Sequence, residues 1–164
     1  MTKRTANLLG FGACAALIVY GLYAQYQLSL EPCPLCIFQR VAIVLLGALF
    51  LLAAIHDPGR AGARVYAALL VVAAIAGGAV AGRHIWIQNL PEDQVPACGA
   101  PLERLLELLP FRKVIETVLR GDGECHKVDW TFLGLSMPVW VLICCAILGA
   151  WGFWANLRAP RSTN

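Results

Sequence analysis

Hydrophobic residues form four long stretches along the chain, and polar residues collect between them. The stretches cover about residues 8–28, 37–55, 65–81 and 137–157, each close to the roughly 20 residues with which a helix crosses a bilayer. Lipid offers no hydrogen-bond partners, so a spanning segment satisfies its own backbone groups as a helix, whereas barrel strands would be shorter and alternate in polarity. The pattern predicts an all-α integral membrane protein, a four-transmembrane-helix bundle forming a single membrane domain over residues 1–164.

Two polar segments, at about residues 29–36 and 89–136, are predicted to be loops on the same side of the membrane. Within the longer loop, apolar residues recur at mostly helical spacing from 101 to 119, and Pro110 interrupts them. This spacing predicts one or two short amphipathic helices, which we expect to lie on the membrane surface. A small helix pair packed on the ends of the spans is the alternative.

Composition and charge support this interpretation and orient the bundle. The chain is 59% hydrophobic and only 14% charged, too little polar surface for a water-soluble globule and too apolar for disorder. Cytoplasmic loops carry an excess of Lys and Arg, and six basic residues against one acid, Asp57, lie on the side of the termini: Lys3, Arg4, Arg60, Arg64, Arg158 and Arg161. Both termini are therefore expected in the cytoplasm of a bacterium, with the loops 29–36 and 89–136 in the periplasm and the chain in the inner membrane.

The first stretch has the basic start of a signal peptide, and residues 11–14 faintly resemble a lipoprotein cleavage box. However, its apolar run is as long as a span, and no small-x-small cleavage site follows near residues 25–29. We therefore interpret this stretch as a membrane span.

The seven cysteines divide by side. Three lie inside predicted spans, where a thiol is usually a small packing residue: Cys14, Cys144 and Cys145. Four lie in the predicted outer loops: Cys33, Cys36, Cys98 and Cys125. Outside the cytoplasm, cysteines form disulfides or carry out redox chemistry, and four of them allow three pairings.

Cys33 and Cys36 form a C-x-x-C motif, an arrangement in which one sulfur readily becomes a thiolate. The motif opens the second span, with Pro34 tolerated in the first turn, so Cys36 is expected near a helix N-terminus, where the macrodipole favours an anion. Arg40 follows on the same helix face about one turn deeper. A charge inside a span marks a functional candidate, the alternative being a side chain that extends back to the lipid headgroups.

His84 is a second polar candidate, at the outer end of the third span. Its ring changes charge near neutral pH, which suits a proton donor, but a histidine at this place is also typical of an interfacial residue. The sequence alone does not bring His84 near Cys36.

The motifs together resemble a known family. Residues 31–40 (Glu-Pro-Cys-Pro-Leu-Cys-Ile-Phe-Gln-Arg) open the second span, Cys98 and Cys125 share one long outer loop, and residues 130–138 (Trp-Thr-Phe-Leu-Gly-Leu-Ser-Met-Pro) lead into the fourth span. This combination, over nearly the whole chain, resembles the DsbB family of disulfide bond formation proteins. Pro34 and Gln39 depart slightly from some members, and Pro34 leaves the redox poise of the motif open.

The resemblance implies an inner-membrane thiol:quinone oxidoreductase. It would re-oxidise a periplasmic DsbA-like thioredoxin-fold protein and pass two electrons to the membrane quinone pool, with ubiquinone or menaquinone as cofactor. By the same resemblance, Cys33–Cys36 is the quinone-coupled disulfide, Cys98–Cys125 the partner-facing disulfide, and Cys33–Cys125 the intermediate. Arg40 matches the quinone-site arginine and His84 a position near the quinone. Neither a nucleic-acid partner nor a metal is expected.

Three other interpretations stay open at this point. Zinc binding by the outer cysteines is disfavoured because structural sites usually use two close pairs, and Cys98 and Cys125 lie 27 positions apart. A non-catalytic scaffold with two structural disulfides leaves Arg40 and the motif unexplained. A related four-span enzyme is the third, either a vitamin K epoxide reductase-like protein, in which the C-x-x-C falls late in the chain, or a specialised DsbB homologue with a dedicated client.

Overall fold

The computed structural model describes residues 1–95, 102–108, 110–121, 123–128 and 130–157. Its elements in chain order are α1 (Lys3–Gln27), α2 (Pro34–His56), α3 (Arg60–Gln88), a 3₁₀ turn (Glu92–Gln94), α4 (Leu102–Leu108), α5 (Phe111–Arg120), α6 (Gly123–His126), β1 (Thr131–Phe132), β2 (Leu135–Ser136) and α7 (Met137–Leu157). Of these, the helices α1, α2, α3 and α7 are long and apolar enough to cross a membrane. The predicted all-α, four-helix membrane architecture is confirmed.

The helix boundaries follow the apolar stretches closely at α7 and less closely at α3. Helix α7 begins and ends where the pattern predicts, whereas α3 extends beyond both ends of the predicted stretch 65–81. The backbone stays helical as far as Gln88 because the first proline after the stretch is Pro91, so the polar residues beyond position 81 still continue the helix. This extension carries His84 past the apolar stretch on a rigid element.

Small residues let the spans approach closely, as is usual where lipid supplies no hydrophobic force between helices. A methyl group added to Gly149 of α7 would lie 2.8 Å from the Cβ of Ala74 on α3. Likewise, a methyl group on Gly10 of α1 would lie 2.7 Å from the ring of Phe50 on α2. Phe50 is fully buried in the central core, so these glycines set the distances between the helix axes.

The ends of α1 and α7 are joined by a buried pair of amides. Asn7 Nδ2 donates to Asn156 Oδ1 (3.3 Å), and Asn156 Nδ2 donates to Asn7 Oδ1 (3.1 Å). Trp151 lies before Asn156 on α7, and its Nε1 donates to the carbonyl of Ala6 on α1 at 2.9 Å. Paired amides satisfy each other inside an apolar bundle, so these contacts hold the first and last spans together at the end opposite Cys33.

At the other end of the bundle, where α2 begins and α3 ends, the short helices pack on the spans. We call this the thiol end. A second core cluster joins the two parts: Leu35, Ile87, Val114, Val118 and Cys125. The sequence predicts one or two short helices here with an interruption at Pro110, and two are observed, α4 and α5, one on each side of it. Val114 and Val118 of α5 are buried against the spans. Helix α5 therefore packs on the ends of the spans, as the alternative prediction for this segment had it.

Arg83 and Gly121 fix the position of α5 on α3. The Arg83 guanidinium donates to the carbonyls of Leu119 (2.9 Å) and Arg120 (3.2 Å), which are acceptors at the end of α5. Gly121 follows with φ 81°, and a Cβ there would lie 2.3 Å from the Cδ1 of Ile87. A glycine is therefore required here both for the backbone conformation and for the close approach. The chain is thereby directed into α6, which carries Cys125.

A short β-hairpin, with two residues in each strand, precedes α7. Thr131 pairs with Ser136 and Phe132 with Leu135, around Leu133 and Gly134, which both have positive φ as a tight hairpin turn requires. The hairpin places aromatic rings beside the beginning of α7.

Candidate functional site

The C-x-x-C motif forms the first turn of α2. Cys33 is the N-cap residue, and its Sγ accepts a hydrogen bond from the backbone N–H of Cys36 at 3.4 Å. Pro34 occupies the start of the helix, where its missing N–H costs nothing. Cys33 and Cys36 are free thiols whose Sγ atoms lie 3.1 Å apart. The sequence prediction that Cys36 lies at a helix N-terminus is thus matched by the geometry.

His84 lies directly beside both motif sulfurs. Its ring is almost fully buried, with Nε2 3.8 Å from Cys33 Sγ and Nδ1 3.9 Å from Cys36 Sγ. The extension of α3 past the apolar stretch brings it there. The structure thus supplies the proximity that the sequence could not, and one imidazole contacts both thiols.

Cys125 completes a cluster of three residues from three helices. Its side chain is fully buried, and its backbone carbonyl accepts a hydrogen bond from His84 Nε2 at 3.1 Å. The ligating atoms of Cys33, His84 and Cys125 all lie within 4.8 Å of one another. The Cys33 and Cys125 sulfurs are therefore close neighbours. Cys98 lies outside the described residues, so the Cys98–Cys125 pairing stays a prediction, as does the Cys33–Cys36 disulfide.

Gln39 is a site residue that the sequence reasoning did not identify. It is buried on α2, and its Nε2 donates to His84 Nδ1 at 3.2 Å. Since an amide N–H only donates, Nδ1 is the acceptor, and the ring proton is on Nε2, where it faces the carbonyl of Cys125. The available signal was an amide inside an apolar span, three residues after Cys36 and on its face of the helix.

We expect Gln39→Leu to slow turnover about tenfold, because it removes a buried hydrogen bond worth on the order of 1–2 kcal/mol that holds the His84 ring in place. Gln39→Glu, which only accepts, should move the ring proton to Nδ1. Nitrogen NMR of labelled histidine distinguishes the two tautomers, and Gln27→Leu, an exposed amide on α1, is the matched control. The parent rate in Gln39→Leu together with an unchanged tautomer in Gln39→Glu would contradict this role.

Arg40 is held inside the bundle by α1. Its guanidinium donates to the carbonyl of Gly21 at 2.9 Å and to Gln25 Oε1. Two acceptors therefore fix the planar group about one turn below Cys36. Arg40 thus has hydrogen-bond partners on a neighbouring span, as expected of a functional residue inside the bundle.

Cys36 and Arg40 both border an apolar cavity of about 380 Å³ between α1, α2, α7 and the hairpin. Its further lining residues are mostly aliphatic or aromatic: Leu17, Ile18, Tyr20, Gly21, Gln39, Ile43, Trp130, Phe132, Met137, Trp140, Val141 and Cys144. Trp130 forms one wall by contacting the ring of Tyr20 edge-on and stacking on Phe132, with centroids 6.1 Å apart in each pair. The cavity is of a size and polarity that suit an apolar ring molecule.

A smaller cavity of about 70 Å³ adjoins the same residues on the polar side. Cys33, Cys36, Arg40, His84 and Lys127 are among its lining residues. Cys36 and Arg40 thus lie between a polar opening and an apolar cavity. A thiolate at this position can react with a molecule on the apolar side while protons are exchanged on the polar side.

Comparison with known proteins agrees with the arrangement. Residues 3–155 match the family described as "Disulfide bond formation protein DsbB". Proteins named "Disulfide bond formation protein B" are similar over nearly their full length. The one from Hahella chejuensis is 50% identical over 163 residues, covering 98% of each chain. The one from Chromobacterium violaceum is 48% identical over 161 residues, covering 98% of this chain and 97% of the relative. The one from Methylococcus capsulatus is 48% identical over 160 residues, covering 98% of each. The chain is therefore a multi-pass membrane protein with a disulfide oxidoreductase role, and it belongs to the DsbB family of disulfide bond formation proteins.

Proposed function

We propose that the chain is a protein-disulfide:quinone oxidoreductase of the bacterial inner membrane. It re-oxidises a periplasmic DsbA-like thioredoxin-fold protein and passes two electrons to a membrane quinone, ubiquinone or menaquinone. The observation that carries the proposal is that buried Cys125 lies within 4.8 Å of Cys33, that Cys33 lies 3.1 Å from Cys36, and that Cys36 and Arg40 both border the apolar cavity.

Electrons enter by thiol–disulfide exchange. A thiolate of the reduced partner attacks Cys98 in the Cys98–Cys125 disulfide, so that a partner–Cys98 bond forms and Cys125 leaves as a thiolate. Cys125 then attacks Cys33 in the Cys33–Cys36 disulfide and releases Cys36 as a thiolate. The burial of Cys125 beside Cys33 supports this order, because a soluble protein does not reach Cys125 directly.

The remaining exchanges return the outer pair to its starting state. The second thiol of the partner attacks the mixed disulfide, so the partner leaves oxidised and Cys98 is released as a thiolate. Cys98 attacks Cys125 in the Cys33–Cys125 bond, which re-forms Cys98–Cys125 and releases Cys33. The two electrons and two protons taken from the partner now belong to the Cys33 and Cys36 pair.

The chain's own residues prepare this pair for re-oxidation. The N-terminus of α2 stabilises the Cys36 thiolate, and the Arg40 guanidinium stabilises negative charge that develops at the edge of the cavity. His84 contacts both sulfurs and relays the thiol protons towards the polar opening. A bound quinone supplies a two-electron, two-proton acceptor, and the Cys33–Cys36 disulfide is restored.

The residues present fit such a group. The cavity borders α1, α2 and α7 within the spans, so a lipid-soluble molecule reaches it without crossing water. Its walls are apolar and aromatic, and Arg40 offers a charged donor to a ring oxygen. The distribution of Lys and Arg supports cytoplasmic termini and, with them, a thiol end that faces the periplasm.

The test is oxidation of a reduced thioredoxin-fold protein by the purified chain in detergent, with ubiquinone, with menaquinone and without a quinone. We expect turnover only when a quinone is present, with one quinone reduced for each disulfide formed. Turnover that continues through many cycles without quinone or another added acceptor would contradict the proposal.

A further inference from the structure

We propose that the reduced protein binds one thiophilic divalent cation of the Zn²⁺ or Cd²⁺ class through Cys33, Cys36, His84 and Cys125. The binding part of this inference stands on the ligand geometry alone. Its consequence, that the bound cation blocks the relay of disulfides, rests on the proposed function.

The first three ligands are already close to a coordination shell. Zinc–sulfur and zinc–nitrogen bonds of about 2.3 and 2.0–2.1 Å place tetrahedral ligand atoms about 3.6–3.8 Å apart. Cys33 Sγ and His84 Nε2 lie 3.8 Å apart, and these two residues and Cys125 have their ligating atoms within 4.8 Å of one another. A contraction of about 1 Å or less, within the reach of side-chain rotation, brings the three atoms onto one ion.

Cys36 supplies the fourth ligand by a larger side-chain movement, because its sulfur lies outside the group whose atoms are all within 4.8 Å of one another. Its Sγ lies 3.1 Å from Cys33 Sγ, and both belong to the first turn of α2, so the C-x-x-C forms a chelate as it does in structural zinc sites. Three thiolates, one neutral imidazole and a divalent cation carry a net charge of −1. Arg40 and Lys127 line the adjoining polar cavity and offset this charge.

Gln39 can form a hydrogen bond with His84 in both the metal-free and the metal-bound site. In the metal-free site its Nε2 donates to His84 Nδ1, and the ring proton on Nε2 faces the carbonyl of Cys125. Coordination through Nε2 requires the proton on Nδ1, and the ion replaces the hydrogen bond from Nε2 to the Cys125 carbonyl, which moves aside with α6. Rotation of the Gln39 amide then presents Oε1 as its acceptor, the type of partner that metal-bound histidines use.

Binding depends on the redox state of the chain. Three thiols lose their protons to water when they become ligands, and a Cys33–Cys36, Cys33–Cys125 or Cys98–Cys125 disulfide removes at least one of them. The cation therefore binds the reduced protein. While Cys33 and Cys125 hold it, their sulfurs cannot form a disulfide with each other, so oxidation of the partner stops.

A zinc site made of the four outer cysteines alone is disfavoured, because 27 positions separate Cys98 and Cys125. In the proposed ligand set His84 takes the place of Cys98, because α3 and α6 meet at the beginning of α2. The spacing of the cysteines along the chain does not show that a residue of another helix, His84 of α3, lies beside them.

The experiment is titration of the full, reduced chain in detergent with Cd²⁺ under anaerobic conditions, followed by ultraviolet thiolate-to-cadmium absorption. We expect about one equivalent to bind with a Kd below about 1 µM. Cys125→Ser and His84→Gln should each weaken binding about tenfold or more, while Cys14→Ala, which removes a thiol from the central core, should leave it unchanged.

Circular dichroism and gel filtration verify that each variant is folded, and ¹¹³Cd NMR of the parent chain reports three sulfur ligands and one nitrogen without any variant. If Cys125→Ser and His84→Gln bind the ion as tightly as the parent chain, the C-x-x-C alone binds it and the proposal is overturned. Loss of binding in Cys98→Ala would also overturn it. Inhibition of turnover is measured separately, so tight binding without inhibition counts against the proposed relay and not against the site.

Discussion

Replacement of Cys125 by serine is expected to stop oxidation of the soluble partner and to leave the chain joined to it through Cys98. Turnover should fall by on the order of 10³-fold or more, because loss of a covalent nucleophile removes the pathway rather than slowing one step. The structural reason is the position of Cys125, which is fully buried and adjacent to Cys33. Without this thiol, no sulfur at this position transfers the disulfide from Cys33 to Cys98.

The joined species forms by a defined exchange. In Cys125→Ser, the Cys98 thiolate attacks the disulfide of the oxidised partner and releases one partner thiol, and the missing Cys125 leaves the mixed disulfide unresolved by the chain. Non-reducing electrophoresis detects the species, and mass spectrometry identifies the linked cysteines. The double variant Cys98→Ser/Cys125→Ser should form none, and Cys14→Ala should retain turnover. A partner linked to Cys33 would reverse the proposed order of the two pairs.

Removal of the Arg40 charge should have the second largest effect. We expect Arg40→Leu to lower the rate of quinone reduction by about 10²–10³-fold, the range measured when one electrostatic donor is removed from an active site. Arg40→Lys should recover part of this loss, because the charge is kept while the two-point contact with Gly21 and Gln25 is not. The rate of disulfide exchange between the partner and Cys98 should change little.

The Arg40 prediction also has a spectroscopic readout. In a Cys33→Ser background held reduced, the unpaired Cys36 thiolate should give a thiolate–quinone absorption band when quinone is added, and Arg40→Leu should weaken it. Arg64→Leu, which removes an exposed arginine near the opposite end of α3, is the matched control. If no band forms under any condition, Cys36 is not the quinone-facing thiolate. A band and rate unchanged in Arg40→Leu would remove Arg40 from the site.

Local patterns in the sequence were sufficient for those parts of the site that lie on one helix. Cys33, Cys36 and Arg40 follow each other at positions i, i+3 and i+7 of α2, so helical periodicity alone places them on one face. The cap position of Cys33 follows from Pro34, which is favoured in a first turn and fixes where the helix begins. No knowledge of the other helices is needed for either inference.

The partners of these residues come from distant parts of the chain. His84 is 48 positions from Cys36 and 41 from Cys125 in their contacts, and the two acceptors of Arg40 lie on α1. Their meeting depends on close packing at glycines, on the length of α3 and on the Arg83 contacts that dock α5. The position of Gln39 inside an apolar span marked it as unusual, but its role as a hydrogen-bond donor to His84 depends on a contact between two helices.

A four-helix membrane bundle with a thiol pair at a helix N-terminus follows from the sequence alone, because transfer of apolar segments into lipid and helical periodicity are local properties of the chain. Three further features depend on the packed fold: Cys125 lies beside Cys33, one histidine contacts both motif sulfurs, and Cys36 and Arg40 border an apolar cavity. These features result from packing between helices, which depends on the shape of every side chain at the contact. The periodicity of hydrophobic residues along the chain carries no information about these shapes.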